Sequence, residues 1–269
     1  MPNHVTNLIT FGPDAEARSA FHRMLEDMRA KDGVLGSIDF NKLIPMPKSL
    51  DVESGSRGKK GLEIVREFLY AGVNVSLDTF RDKSHDHRVT RLCKHYREEV
   101  KRDPEILELG WTYYRNLRAY GSATWYEWCN QHWGTKWNAY DCVPLDKNAD
   151  TMRFCTAWSD ISELVGVLST KYPDAKITYR WADEDMGRNV GERVFQNGEI
   201  VDWDIPEGGS REAFEMAAEI RGVDLAEYNL SLSKDGTTYE YREEAEPIIP
   251  PPPKEKSAPA KKRKLRTAR

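Results

Sequence analysis

The run "GERVFQNGEIVDW", residues 191–203, sets the firmest constraint on how this chain folds. Asn197-Gly198 lies between two β-prone segments, and that dipeptide suits a two-residue turn whose central residues both need φ > 0. A β-hairpin is therefore expected here. Upstream, residues 4–11 predict a strand with Val5, Ile9 and Phe11 on one face. Asp14 can cap a following helix whose apolar set is Ala17, Phe21, Met24, Leu25 and Met28. "SIDFNKLIPMP" alternates Ile38, Phe40 and Ile44 before Pro45 and Pro47, and predicts a second strand. A β-α-β opening of this kind implies a sheet with helices on one face.

The pattern then changes. Residues 48–110 read as a helical insertion, with "DVESGSRGKKG" as a polar loop and "LEIVREFLYAG" as a short amphipathic helix. In "HRVTRLCKHYREEVKRDPE", Val89, Leu92, Cys93, Tyr96 and Val100 form an apolar stripe at helical spacing. Residues 111–205 return to strands. "WNAYDCV" and "TMRFCTAW" predict two of them, separated by "PLDKNAD". Asp160 and Glu163 have capping-box spacing ahead of a helix that would bury Ile161, Leu164, Val165 and Leu168. "AKITYRWA" predicts a strand burying Ile177, Tyr179 and Trp181. Residues 206–244 predict a helix opened by Ser210 and stopped by Gly222, with Phe214, Ala217 and Ala218 inward, and then a hairpin in "YNLSLSKDGTTYEYR". Residues 245–269 read as a proline-rich linker and a disordered basic tail.

Charge is divided along the chain. Residues 254–269 hold eight Lys/Arg and one acid, a net +7, which leaves −11 for residues 1–253 of a chain at −4. An acidic body does not attract nucleic acid through its overall field. The tail residues Lys261, Lys262, Arg263, Lys264 and Arg266 are the natural contacts for phosphates or an acidic partner. No apolar run approaches the ~20 residues of a membrane span, and the first residues lack the pattern of a signal peptide. Four scattered cysteines without a CxxC pair suit reduced thiols in a cytoplasm.

Candidate sites are few. His85, His87, Cys93 and His95 have the chemistry of zinc ligands. Cys93 and His95 nevertheless point about 200° apart around a helix, so they do not converge. Asp183, Glu184 and Asp185, at the end of a strand, are weak candidates for a hard cation. Cys155 with His132 is a conceivable nucleophilic pair, but no nucleophile elbow, HExxH or P-loop is present. No catalytic residue and no cofactor is assigned.

The stretch "TWYEWCNQHWGTKWNAYD" (124–141) holds four of the chain's eight tryptophans. Trp125, Trp128, Cys129 and His132 share a helical face that Gly134 ends, and core packing explains most of it. Trp133, Lys136 and Trp137, in the turn that follows, are the candidate contact with a partner or with bases.

Several phrases together resemble a known family: "PNHVTNLITF" (2–11), "DFNKLIPMP" (39–47), "WGTKWNAYD" (133–141), "FCTAWS" (154–159) and "YRWADEDMGRNVGE" (179–192). They are similar to the YubB-like, ferredoxin-fold family of phages, plasmids and bacterial mobile elements. The resemblance implies an α+β, ferredoxin-like fold: an antiparallel sheet with helices packed on one face. It brings no catalytic residues. The family's setting implies a non-enzymatic binding protein acting in the host cytoplasm on a host or phage protein, such as a defence or nucleic-acid-handling protein. Two alternatives are a nucleic-acid binder using the basic tail and the Trp133–Trp137 turn, and a metal-dependent enzyme using Asp183–Asp185.

Overall fold

The computed structural model describes residues 3–82, 85–143 and 150–242. Strand β1 (His4–Phe11) alternates as its sequence predicts, and Val5, Ile9 and Phe11 are buried. Helix α1 (Ala15–Asp27) starts where the Asp14 side chain accepts a hydrogen bond from the Ala17 amide at 2.8 Å. It buries Ala17, Phe21, Met24 and Leu25, and Met28 follows them into the core.

The strand expected at 37–47 does not form. The chain makes 3-10 turns at Phe40–Lys42 and Lys48–Leu50 instead. Asp39 Oδ1 accepts from the Asn41 amide at 3.0 Å, and the Phe40 amide donates to Asn138 Oδ1 at 2.8 Å. Phe40 is thereby driven into the core as a plug, edge-on to Phe154. Full burial of such a ring is worth ~1.5–3 kcal/mol, more than the roughly 1 kcal/mol of a ladder hydrogen bond. Packing therefore overrides the alternation.

A helical body follows: α2 (Ser56–Tyr70), α3 (Leu77–Arg81), α4 (His87–Arg102) and α5 (Ile106–Tyr120). It has its own core, in which Ile64, Phe68, Val89, Tyr96 and Ile106 meet. Helix α2 begins inside the segment expected to be a loop. Its Gly58 and Gly61 are contact positions, for a Cβ on Gly61 would stand 2.4 Å from the Ile106 carbonyl oxygen of α5. Position 110 falls inside α5, so helix runs on to Tyr120, and α6 (Trp125–His132) comes after it.

The sheet then resumes with β2 (Thr151–Ala157), α7 (Ser162–Thr170), β3 (Ile177–Asp183), β4 (Val190–Gln196) and β5 (Glu199–Asp204). Its order is β2-β1-β3-β4-β5, with every neighbour antiparallel. Strands β2 and β3 therefore run parallel on either side of β1 and are joined by α7, a split β-α-β unit. Asn197 and Gly198 take φ of 48° and 88°, as the β4–β5 hairpin requires.

"WNAYDCV" predicts a full strand, but the segment meets the outer edge of β2 through an isolated bridge, in which Tyr140 exchanges both backbone hydrogen bonds with Cys155 at 3.1 and 2.7 Å, and through the Val143 amide, which donates to the Arg153 carbonyl at 3.1 Å. Asn138 is drawn away from that edge, since its side chain binds both the Phe40 amide and Asp39 Oδ1. Asp141 then turns the chain at φ 50°. At α7, Asp160 Oδ1 accepts from the Ser162 amide at 2.9 Å, and Glu163 does not complete the expected capping box. Reciprocal boxes lie at α3, between Ser76 and Thr79, and at α6, between Thr124 and Glu127.

Helices α1 and α7 cover one face of the sheet. The C-terminal extension adds α8 (Arg211–Arg221) on the other face, where Ala213, Phe214 and Ala217 meet Ala182 and Val190. Strands β6 (Leu230–Leu232) and β7 (Tyr239–Tyr241) form a separate hairpin. The linker and tail read at 245–269 lie outside the described residues.

Candidate binding surface at one end of the sheet

Burial divides the aromatic stretch in two. The Thr124–Glu127 box sets where α6 begins, and this turns Trp128 and Cys129 into the core. Trp133 follows them. Its indole Nε1 donates to the Ile44 carbonyl at 2.9 Å, and its ring lies edge-on to Phe40 and Trp128. At 3% exposure Trp133 is core, which removes it from the expected contact surface. Burial pushes the Cys129 thiol up to about 12. His132 packs its ring 4.5 Å from that of Trp128, whereas Cys155 stands opposite Thr6 and Tyr140 in the sheet with its thiol raised by burial.

Lys136 and Trp137 remain near the surface. Thr135 clamps their turn to the end of β2, its hydroxyl donating to the Ala157 carbonyl at 2.9 Å and accepting from the Ala157 amide at 3.1 Å. This brings Lys136 Nζ to 4.5 Å from the ring centre of Trp137, 5.0 Å from Trp158 and 5.9 Å from Tyr126. Attraction to each ring face is worth ~0.5–1 kcal/mol at exposed sites. Among the described residues Lys136 has no ion pair with a carboxylate.

Trp158 is the residue that the sequence reading did not single out, although it lies in "FCTAWS". It adopts φ 71°, a conformation rare for a bulky side chain and costing on the order of 1–3 kcal/mol. Its amide donates to the Asn3 carbonyl at 2.9 Å, and its carbonyl accepts from Asn189 Nδ2 at 3.3 Å. Held this way, the indole is 39% exposed and perpendicular to Tyr126. The rings around Lys136 are thus a corner, not a stack of parallel plates. The only sequence signal for Trp158 is a large ring directly after a strand and before the turn-forming Ser159-Asp160.

Asp183, Glu184 and Asp185 lie at the same end of the sheet. Asp183 is buried, and its carboxylate accepts from Asn3 Nδ2 at 3.1 Å, the Asp185 amide at 2.9 Å and Asn189 Nδ2 at 3.2 Å. Those bonds make it the organiser of the β3–β4 loop. Glu184 and Asp185 face solvent. Among the described residues no three His, Cys, Asp or Glu side chains group to hold a metal, either here or at His85, His87, Cys93 and His95. Cys93 points its thiol at the Thr79 carbonyl beneath α4, and His95 is exposed.

Asn189 joins the two halves of this surface by bonding both Trp158 and Asp183. The Glu184 amide donates to the His4 carbonyl, and His4 Nδ1 is 2.6 Å from the Tyr140 hydroxyl. Burial first, and then the nearby Cys155, Asp141 and Glu184, pushes the Tyr140 phenol up to about 12. One end of the sheet thus presents Tyr126, Trp137 and Trp158 around a cation, with two carboxylates close by. The tail candidates Lys261, Lys262, Arg263, Lys264 and Arg266 lie outside the described residues.

Fold and surface together define an α+β protein of ferredoxin-like type, with a five-stranded antiparallel sheet and an inserted helical body. Residues 132–224 match the family model of the ferredoxin-like domain in Api92-like protein. That segment carries β2 to β5, α7 and α8, together with Lys136, Trp137 and Trp158. Among solved structures, the chain is similar to the crystal structure of the protein api92 from Yersinia pseudotuberculosis. Identity is 11% over 78% of this chain and 99% of that one, with a TM-score of 0.34. No curated protein matches the chain. Among the described residues no helix is long and apolar enough to cross a membrane.

Proposed function

We propose that this chain is a non-catalytic binding protein, and that it engages a protein target through Tyr126, Lys136, Trp137 and Trp158. The observation that carries this reading is Trp158: a large ring kept part-exposed by a backbone conformation that costs energy. Strain of this kind concentrates where a side chain has to be presented, and Trp is prominent among interface hot spots. The exposed carboxylates of Glu184 and Asp185 at the same end of the sheet favour a protein surface over a phosphate backbone. The resemblance to the YubB-like family supports an origin in a phage or mobile element. It also supports a target in the host cytoplasm, such as a defence or nucleic-acid-handling protein.

The test is affinity capture from a bacterial lysate with the full chain and its Trp158→Ala variant, each with and without nuclease. A partner retained after nuclease and lost with Trp158→Ala supports the reading. Capture that survives the substitution refutes the assignment of this surface.

A second reading, nucleic-acid binding, is favoured by one feature, the Lys136 cation, which has no ion pair among the described residues and lies against three aromatic rings. Direct titration with single-stranded DNA or RNA decides it. Binding whose salt dependence falls by about one phosphate contact with Lys136→Met would establish this alternative.

A further inference from the structure

We propose that the free edge of β5 accepts an extended, basic segment of a partner protein as an additional strand of the sheet. Strand β5 is last in the order β2-β1-β3-β4-β5, so among the described residues one side of its backbone has no strand beside it. All six of its residues are exposed. The register with β4 sorts their side chains by face. Ile200 lies opposite Phe195 and Trp203 opposite Arg193, the face covered by α7, and Ile205 continues that row beside Gly191. Trp203 is 67% exposed. Glu199, Asp202 and Asp204 lie opposite Gln196, Val194 and Glu192, on the other face. Val201 is the extra residue at the bulge.

The edge is thus apolar on one face and acidic on the other. Exposed edges are commonly guarded by charge against unwanted pairing. Here the guard has a single sign and occupies a single face, while an unguarded indole stands on the other. None of the three acids is in an ion pair among the described residues. A strand added at an edge places its side chains beside those of its neighbour, face by face. A second copy of β5 paired antiparallel would set its own acidic row against this one, and paired parallel it would be turned over, so that its apolar row met the acids. Neither arrangement supplies the opposite charge that the acidic row calls for. A segment alternating apolar residues with Lys or Arg satisfies both rows, with main-chain hydrogen bonds supplying the rest. None of these residues belongs to the sheet-end surface, so the two proposals stand or fall separately.

The experiment uses the full chain and two short labelled peptides, one alternating Val with Lys and the other Val with Glu. Anisotropy measures binding, and hydrogen exchange locates it. The lysine peptide should bind, the glutamate peptide should not, and amides 199–204 should gain protection. Asp202→Lys combined with Asp204→Lys, and separately Trp203→Ala, should each weaken binding by about tenfold or more. All three positions are exposed, so an unchanged melting curve verifies the fold of each variant. No binding of the lysine peptide, or binding without protection at 199–204, overturns the proposal. Two further outcomes also overturn it by naming another occupant. One is a gain of affinity when Lys261, Lys262, Arg263, Lys264 and Arg266 are all replaced by Gln, which would assign the edge to the chain's own tail. The other is concentration-dependent protection without peptide that Trp203→Ala abolishes, which would assign it to a second copy.

Discussion

Tyr179→Phe deletes one oxygen atom from the middle of the sheet, and the structure says what that atom holds. The Tyr179 hydroxyl donates to Asn7 Oδ1 at 2.7 Å and accepts from the Ile161 amide at 2.8 Å. Both side chains are fully buried. Asn7 in turn donates to the Val5 carbonyl and to Thr156 Oγ1, each at 2.9 Å, and Thr156 Oγ1 donates to the Ser159 carbonyl at 2.8 Å. A single hydroxyl therefore ties β3 to β1, to β2 and to the start of α7. Phenylalanine fills the same volume and leaves no cavity, but it strands one acceptor and one amide donor. Each buried orphan costs ~1–3 kcal/mol, so a loss of about 3 kcal/mol is expected. Urea unfolding should show it as a lower midpoint at unchanged slope. Hydrogen exchange should also quicken at Ile161, close to the turn that carries Trp158. Adding Asn7→Leu should cost less than the sum of the two single changes, because the orphaned acceptor goes with it. A loss below about 1 kcal/mol for Tyr179→Phe would refute the closed network.

Gly110→Ala should destabilise the helical body by about 3 kcal/mol or more in the same assay, since its Cβ would lie 2.2 Å from the Gly61 carbonyl oxygen and neither backbone can yield cheaply. Trp158→Gly should leave stability unchanged or raise it by about 1 kcal/mol, because glycine adopts φ 71° without strain, while binding is lost. A large loss of stability would instead make Trp158 structural. Cys129 should resist alkylation in the folded protein at pH 8, as its thiol is pushed up to about 12 by burial. An unfolded thiol ionises from about 8.5. Between those values the unfolded chain releases a proton that the folded one keeps, so this group makes stability fall as pH rises. Cys129→Ala should flatten that slope in alkaline unfolding curves.

Much of the sheet was legible because its strands bury one face and its turns need particular residues. Val5, Ile9 and Phe11 alternate on β1, Ile177, Tyr179 and Trp181 on β3, and Asn197-Gly198 closes the hairpin. Where the reading failed, a longer-range partner had taken the backbone. Ile38 and Phe40 have the period of a strand, but Asn138, far along the chain, claims the Phe40 amide, and the ring drops into the core. Gly58 and Gly61 look like breakers until α5 is seen to lie against them. Local pattern records which side chains are apolar. It does not record whether a ladder or a plug is the cheaper way to bury them.

The surface was legible only as fragments, for a reason that lies in the topology. The sheet brings the start of β1 and the ends of β2 and β3 to one edge, so residues from 3 to 189 in the chain become neighbours there. Lys136 and Trp137 could be named from composition, and so could Asp183, Glu184 and Asp185. That the two sets share one end, joined through Asn189, follows from strand order and register alone. Their roles were also redistributed by burial. Asp183, the most ligand-like by position, spends its oxygens on its own loop, and Trp133 spends its indole on Ile44. Trp158, ordinary in sequence, becomes the exposed ring because β2 ends one residue earlier and Asn3 and Asn189 hold its backbone over. A candidate contact residue in this fold is thus defined less by its type than by whether the backbone beneath it has already been claimed.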